Sequence, residues 1–327
     1  MAAPGPVTVM GAGAIGCYVG GCLQAAGTEV HFVGRPRVLD ALGTNGLTVS
    51  DLDGRRTTLP PASLNLHRTP PAAAALVLLC VKSAATADAA RALPAGSVVL
   101  SLQNGIGNAG VAAAAAPRLT VLPGMVPFNV AELTPGHFHR GTVGEVAAQD
   151  DAALRPWAAV FAAAGLPLQL HADLRPVQWA KLLLNLNNPV NALSGLPLRA
   201  ELLDRDHRHV LAALQDEALR AMAAAGIVPA KITPLPPRWL PGVLRLPNWL
   251  FERVAARMLR IDAQARSSMA DDVALGRKTE VDAFCGEVQR LAQAHGGSAP
   301  LNTRIAALVE ADPRPRSGRA LRAELGL

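Results

Sequence analysis

Lysine is scarce in this chain: Lys82, Lys181, Lys231 and Lys278 are the only four, against 27 arginines. A formal charge of +6 would ordinarily raise the question of nucleic acid. Arginine and alanine excess together instead follow a GC-rich coding bias. Aromatic residues make up 3% of the chain and Tyr18 is the single tyrosine. That leaves no interleaving of aromatic and basic side chains on which unstacked bases could lie, so no nucleic-acid partner is expected. The four cysteines, Cys17, Cys22, Cys80 and Cys285, lack metal-ligand spacing. They are expected to be reduced thiols, three of them in buried strand or helix, with no metal site. No apolar run approaches ~18 residues, and the first residues carry no basic leader pattern. A soluble, cytoplasmic protein without a membrane segment is expected. Half of the 327 residues are hydrophobic, enough for a large core and for two domains.

What the chain does have is a strand-turn-helix signal at its start. Val7-Thr8-Val9-Met10 is followed by Gly11-Ala12-Gly13-Ala14-Ile15-Gly16 and then by an alanine-rich helical pattern over Ala14–Ala26. In a Gly-x-Gly-x-x-Gly turn the first glycine permits the tight turn. The second lets a pyrophosphate approach the backbone. The third lets the helix pack on the strand. The helix N-terminus then presents unpaired N–H groups to an anion. Residues 11–16 are therefore read as a dinucleotide site rather than an ordinary glycine-rich turn.

The end of the next strand, Glu29–Val33, bears on the cofactor. An acidic residue there would bind the ribose 2′-hydroxyl of NAD. The chain has Gly34-Arg35-Pro36-Arg37 instead. Arg35 can clamp a 2′-phosphate, which favours NADP; the alternative is a solvated surface arginine. Leu47–Leu59 alternates around Asp53-Gly54, a hairpin signal. Leu76–Val81 and Ser97–Leu102 are continuous apolar runs, as expected of parallel strands buried on both faces. They end in Lys82-Ser83 and Gln103-Asn104-Gly105. Ligands sit beyond the carboxyl ends of such strands, so Lys82 and Asn104 are site candidates, against the alternatives of a surface lysine and a turn asparagine. Leu119–Pro123 reads as another strand, and His137–Val146 as an antiparallel hairpin about Gly141 that closes the sheet. Asp151–Ala164 reads as a helix and Pro167–His171 as the last strand. The pattern is helical from Asp173 onward. The expected fold is α/β, a doubly wound sheet over residues 1–172 followed by an all-α domain over 173–327.

In the second half, Asp173–Leu193 reads as one helix that sets Lys181, Asn185 and Asn188 on one face at i, i+4 and i+7. Polar groups in so apolar a helix cost free energy unless paired. They either face a ligand or bridge neighbouring helices. A buried lysine can lose its proton and an arginine cannot; Lys181 in a lysine-poor chain thus suggests a transferable proton. Arg205–Ala225 reads as a helix, Pro229–Pro247, with six prolines, as a loop, and Leu250–Ala265 as a helix. Trp239, Trp249 and Phe251 are assigned to packing in a covering lobe or a subunit contact. Ser267–Ala294 reads as one long helix, capped by Ser267 or Ser268, on which Ser268, Asp272, Gly276 and Glu280 recur every four residues. A mid-helix Gly276 would imply close approach by another group. Glu280 is a candidate partner for Lys181, against the alternative of a solvated carboxylate. Arg314–Leu327 is expected to fray or dock loosely.

Taken together, Gly11 to Gly16, Val81-Lys82-Ser83, Gln103-Asn104-Gly105, Lys181-Leu182-Leu183-Leu184-Asn185 and Ser267-Ser268-Met269 through Gly276-Arg277-Lys278-Thr279-Glu280-Val281-Asp282 resemble the ketopantoate reductases (2-dehydropantoate 2-reductases). The resemblance runs through nearly the whole chain. It implies an N-terminal Rossmann domain, a helical C-terminal domain and an active site in the cleft between them. It also implies NADPH-dependent reduction of a 2-oxo acid, 2-dehydropantoate to pantoate, in pantothenate and coenzyme A biosynthesis. In that reading Lys181 is the general acid, and Glu280 binds substrate and orients the lysine. Asn104 contacts cofactor and substrate, Lys82 supports both, and Arg35 reads the NADP phosphate. Asn185 and Ser268 contact substrate, with Asn188 beside them. A homodimer is compatible with it. Two rivals stand beside this reading: a related D-2-hydroxyacid dehydrogenase with another 2-oxo acid, and an NADP-binding sensor without turnover.

Overall fold

A computed structural model of the chain describes residues 4–256, 259 and 264–327. The chain divides into two compact units, residues 1–174 and 175–327.

The first unit is α/β, as expected. Its strands are β1 (Val7–Met10), β2 (Val30–Val33), β3 (Leu47–Asp51), β4 (Arg56–Leu59), β5 (Asn65–His67), β6 (Leu76–Leu79), β7 (Val98–Ser101), β8 (Thr120–Met125), β9 (Val130–Thr134), β10 (His137–Arg140), β11 (Val146–Gln149) and β12 (Leu168–His171). Its helices are α1 (Ala14–Ala25), α2 (Pro36–Asn45), α3 (Thr86–Ala92), α4 (Asn108–Ala115) and α5 (Ala158–Ala163). Eight strands form one sheet in the order β12-β11-β8-β7-β6-β1-β2-β5. All its neighbours pair in parallel except β8 and β11, which run antiparallel. All four residues of β6 are buried, as the uninterrupted apolar run requires of a strand covered on both faces. The chain leaves β1 toward β2 and β5 and returns to β6 on the other side of β1. This reversal is a switch point, and the ends of β1 and β6 are where ligands bind in such sheets.

A second sheet, β4-β3-β10-β9, corrects the reading of residues 137–146. The hairpin joins β9 to β10 through Pro135-Gly136, and β11 belongs to the large sheet. Gly136 has φ 86°. Proline followed by a positive-φ glycine is the chemistry of a tight turn, and Gly141 has no positive φ. The segment 151–164 is also shorter as α-helix than expected. A 3-10 turn over Arg155–Trp157 precedes α5, because Pro156 lacks the N–H that a longer helix would use.

The second unit is helical: α6 (Arg175–Asn185), α7 (Asn187–Ser194), α8 (Leu198–Leu203), α9 (Arg205–Ala224), α10 (Leu240–Leu244), α11 (Asn248–Val254), α12 (Ser268–Ala274), α13 (Cys285–Ala294), α14 (Pro300–Ala311) and α15 (Gly318–Leu325). Four expectations need correction here. The segment 173–193 is two helices, not one. Pro189 cannot donate to the carbonyl four residues back, and its ring crowds that carbonyl; the break falls at Leu186. The segment 267–294 is also broken. Gly276 takes φ 60° just past α12 and a Cβ there would meet nothing within 4 Å. It ends a helix in the left-handed conformation, so its positive φ, and not a mid-helix position, is what calls for glycine there. The proline-dense stretch 229–247 contains α10, with Pro241 in its first turn, where a missing N–H costs nothing. Finally, the terminal segment is docked: α15 packs on α9, with Leu321 and Leu325 buried at about 1.5–3 kcal/mol per side chain. Of the expected helix 250–265, α11 ends at Val254, and residues 257, 258 and 260–263 lie outside the described residues.

Arg208, fully buried on α9, pins the proline-rich stretch to that helix. Its guanidinium donates to the carbonyls of Leu202, Leu244 and Leu246 at 2.9 Å each and to Asn248 Oδ1 at 2.8 Å. It also lies 4.1 Å above the Phe251 ring. Phe251 is therefore a packing residue. Trp239 and Trp249 are 54% and 66% exposed and do not pack into the core of this chain. Among the described residues no helix is long and apolar enough to cross a membrane.

Candidate functional site

The glycines after β1 differ in what requires them. Gly11 has φ 112°, and a Cβ there would lie 2.7 Å from the backbone of Cys80 and Val81 at the end of β6. A Cβ on Gly16 would collide with the Gly11 carbonyl and lie 2.7 Å from Val9 Cγ1. The protein itself demands both glycines. At Gly13 a Cβ would meet nothing within 4 Å. The protein leaves that position open, as close approach of a phosphate to the backbone requires. Gly11 and Ala12 N–H donate to the Val33 carbonyl at 3.0 and 2.8 Å, which ties the turn to the end of β2. Ala12 is buried, and Ala14 and Ile15 pack partly on the core. No side chain caps the start of α1 and no acidic residue lies in its first turn, so its dipole faces outward unneutralised.

Arg35 stands one residue beyond Gly34, whose Cβ would lie 2.8 Å from that of Ala12. The end of β2 thus runs against the glycine turn. The Arg35 carbonyl accepts from Val38 and Leu39 N–H at 3.0 and 3.1 Å and starts α2. Its side chain is exposed. Arg37, by contrast, lies 3.9 Å from Glu132.

Lys82 and Asn104 follow β6 and β7, which are neighbours in the sheet. Both side chains are exposed. Beneath them runs a polar cluster with one direction. Ser101 Oγ donates to Gln103 Oε1 at 3.0 Å, and Gln103 Nε2 donates to the Val81 carbonyl at 2.9 Å and to Thr86 Oγ1 at 2.7 Å. Thr86 donates to Asn108 Oδ1 at 3.1 Å. Asn108 Nδ2 donates to the Asn104 carbonyl at 2.6 Å and to Ser83 Oγ at 3.3 Å. Sequence reading assigned no role to Gln103, Thr86 or Asn108. Thr86 and Asn108 open alanine-rich helices, where capping alone would explain a polar residue, and Gln103 follows the end of β7.

In the second unit Lys181 and Asn185 lie one turn apart on α6, both half-buried. Desolvation by burial brings the Lys181 ammonium down to about 8. Asn188 lies on α7, on the other side of the break, so the three do not share one regular helix. Ser268 opens α12, which packs on α7. Ser267 caps α12 by accepting from Ala270 N–H at 3.1 Å. Its own N–H donates to Asn191 Oδ1 at 2.9 Å, and its hydroxyl to the Asn188 carbonyl at 3.4 Å. These bonds tie the start of α12 to α7. Glu201, fully buried, accepts from Asn187 Nδ2 at 2.9 Å, and burial raises its carboxyl to about 8. Glu280, half-buried, precedes a 3-10 turn over Val281–Ala283 instead of sitting on a continuous helix with Ser268. Among the described residues no three His, Cys, Asp or Glu side chains are grouped to hold a metal ion.

Residues 7–151 match the family described as Ketopantoate reductase PanE/ApbA, and residues 173–312 its C-terminal counterpart, Ketopantoate reductase PanE/ApbA C terminal. The chain belongs to the ketopantoate reductase family. The two ketopantoate reductase matches take in every candidate residue, from the glycine turn to Asn104 in the first and from Lys181 to Glu280 in the second. The chain is 33% identical to the 2-dehydropantoate 2-reductase of Halobacterium salinarum, over 93% of this chain and 97% of that one. It superposes on the PanE/ApbA family ketopantoate reductase of Ralstonia eutropha JMP134 with a TM-score of 0.78 and 31% identity, covering 93% and 97% of the two chains. The fold alone is shared with D-mandelate dehydrogenase in its ternary structure with NADH and anilino(oxo)acetate: TM-score 0.76, 18% identity, 98% and 100% covered.

Proposed function

We propose that this chain catalyses the NADPH-dependent reduction of 2-dehydropantoate to pantoate. The observation that carries the reading is Lys181, an ammonium brought to about 8 by burial in a chain whose family reduces a carbonyl. NADPH, when bound, supplies the hydride. The open backbone at Gly13 and the uncapped start of α1 suit its pyrophosphate, and Arg35 suits its 2′-phosphate. As hydride reaches the carbonyl carbon, negative charge grows on the oxygen. Lys181 stabilises that charge and gives up a proton to it. Asn104, Asn185, Asn188 and Ser268 supply hydrogen bonds to the substrate's polar groups, Lys82 supports cofactor and substrate, and Glu280 orients the lysine. Holding acid and substrate in one geometry supplies much of the rate.

Loss of NADPH absorbance on adding 2-dehydropantoate tests the reading, with branched 2-oxo acids run alongside. Fastest turnover of 2-dehydropantoate is the expected result; a faster branched 2-oxo acid would move the chain to the related 2-hydroxyacid dehydrogenases, and NADPH binding with no consumption would make it a sensor. The apolar loop Gly195-Leu196-Pro197-Leu198 is the feature that favours the branched-acid reading. The cofactor assignment has its own test. Arg35→Ala is expected to raise the KM for NADPH by about 10- to 100-fold, the worth of charge-assisted hydrogen bonds, and to leave that for NADH nearly unchanged. Equal changes for both would refute it.

A further inference from the structure

We propose that Gln103, Thr86 and Asn108 are positioning residues, and that their hydrogen-bond chain sets the backbone that presents Lys82 and Asn104 to cofactor and substrate. This rests on the reading of Lys82 and Asn104 given above. Three features of the chain support it.

It has a single polarity. Ser101 donates to the Gln103 carbonyl oxygen, so the Gln103 amide nitrogen faces Thr86 and Val81. Thr86 accepts there, and its one proton goes to Asn108 Oδ1. Asn108 must then turn its nitrogen to the Asn104 carbonyl and Ser83. Reversing either amide would set donor against donor or acceptor against acceptor. Such a chain admits one arrangement, and its bonds polarise one another.

Its end points are specific. Gln103 holds the Val81 carbonyl and Asn108 holds the Ser83 hydroxyl, so Lys82 is bracketed on both sides. The same Asn108 amide holds the carbonyl of Asn104, just before Gly105 turns the chain at φ 85°. One network therefore couples the two loops that follow neighbouring strands.

It is also buried. Thr86 is fully inaccessible, and Gln103 and Asn108 are 8% and 7% exposed. Water cannot replace a lost partner freely, so removing one group should displace the loops.

Thr86→Val keeps the shape and removes both hydrogen-bonding roles. It is expected to lower kcat by about 10- to 100-fold, the cost of a small misplacement at a reacting centre, and to weaken NADPH binding, read by nicotinamide fluorescence, by about tenfold. Thr86→Ser retains the hydroxyl and should restore both. Asn108→Ala, at the start of a helix that alanine favours, covers the case of a Thr86→Val protein that does not fold; it should show the same losses. A merely structural role would lower Tm but leave kcat and KM of the folded protein unchanged. Folded Thr86→Val or Asn108→Ala with wild-type constants overturns the proposal, as does a Thr86→Ser as impaired as Thr86→Val. Absence of NADPH binding and turnover in the wild type would instead overturn the functional reading, and the proposal with it.

Discussion

Lys181→Ala is expected to reduce turnover by ~10²–10⁴-fold, the usual worth of a positioned acid, while NADPH binds with unchanged affinity. The residues assigned to the cofactor, Gly11 to Gly16, Arg35, Lys82 and Asn104, all lie in the first unit, and Lys181 lies in the second. Alanine is the best helix former, so α6 should persist and the variant should fold. The same experiment carries a pH signature. An acid must be protonated to act, and burial brings Lys181 to about 8. For reduction, kcat/KM should be level below pH 8 and fall about tenfold per pH unit above it. For oxidation of the hydroxy acid the neutral amine is the competent form, so that limb should rise toward pH 8 and then level. In Lys181→Ala the residual rate should show neither break. Turnover near that of the wild type, or a break at pH 8 that survives the substitution, would remove Lys181 from the mechanism.

The second large effect is expected at Gly13, with Gly16 as its counterpart. A Cβ on Gly13 meets nothing within 4 Å, so Gly13→Ala should fold with a Tm close to the wild type. Its methyl would stand where a pyrophosphate must approach the backbone. Loss of charge-assisted bonds of that kind costs about 1.5–3 kcal/mol, or roughly 10- to 100-fold in the dissociation constant for NADPH. Gly16→Ala is the reverse case. Its Cβ would strike the Gly11 carbonyl and Val9, so overpacking of about 1–3 kcal/mol should appear first as a fall in Tm. Thermal melts and NADPH titrations of both variants separate the two outcomes. Unchanged NADPH affinity in a folded Gly13→Ala would take the dinucleotide away from this turn.

Much of the first unit was legible because its signals are local. A β-branched run, a glycine turn and an alanine-rich helix lie within twenty residues of one another. Buried parallel strands announce themselves as unbroken apolar runs such as Leu76–Leu79. The errors have a common cause. Helical periodicity over 173–193 and 267–294 reports which residues face inward, and an interrupted helix can keep the same periodicity. Pro189 and Gly276 carry the stop signals, a missing donor and a left-handed helix end, and neither changes which residues face inward. The arginine-rich terminus looked unanchored because its partner, α9, lies about a hundred residues earlier. Pro135-Gly136 was the stronger turn signal, and the weaker Gly141 was taken in its place.

Sequence alone thus determined the chemistry available at each point: the glycines of the first turn, an arginine rather than an acid after the second strand, and a lysine among leucines on a helix. Each follows from what a residue permits its own backbone or its nearest neighbours. Tertiary structure decided which of these points share an environment. Thr86 meets Gln103 and Asn108 because β6 and β7 pair side by side, and Lys181 loses hydration because its helix is packed. Both depend on strand order and burial, which bring together groups that lie far apart along the chain.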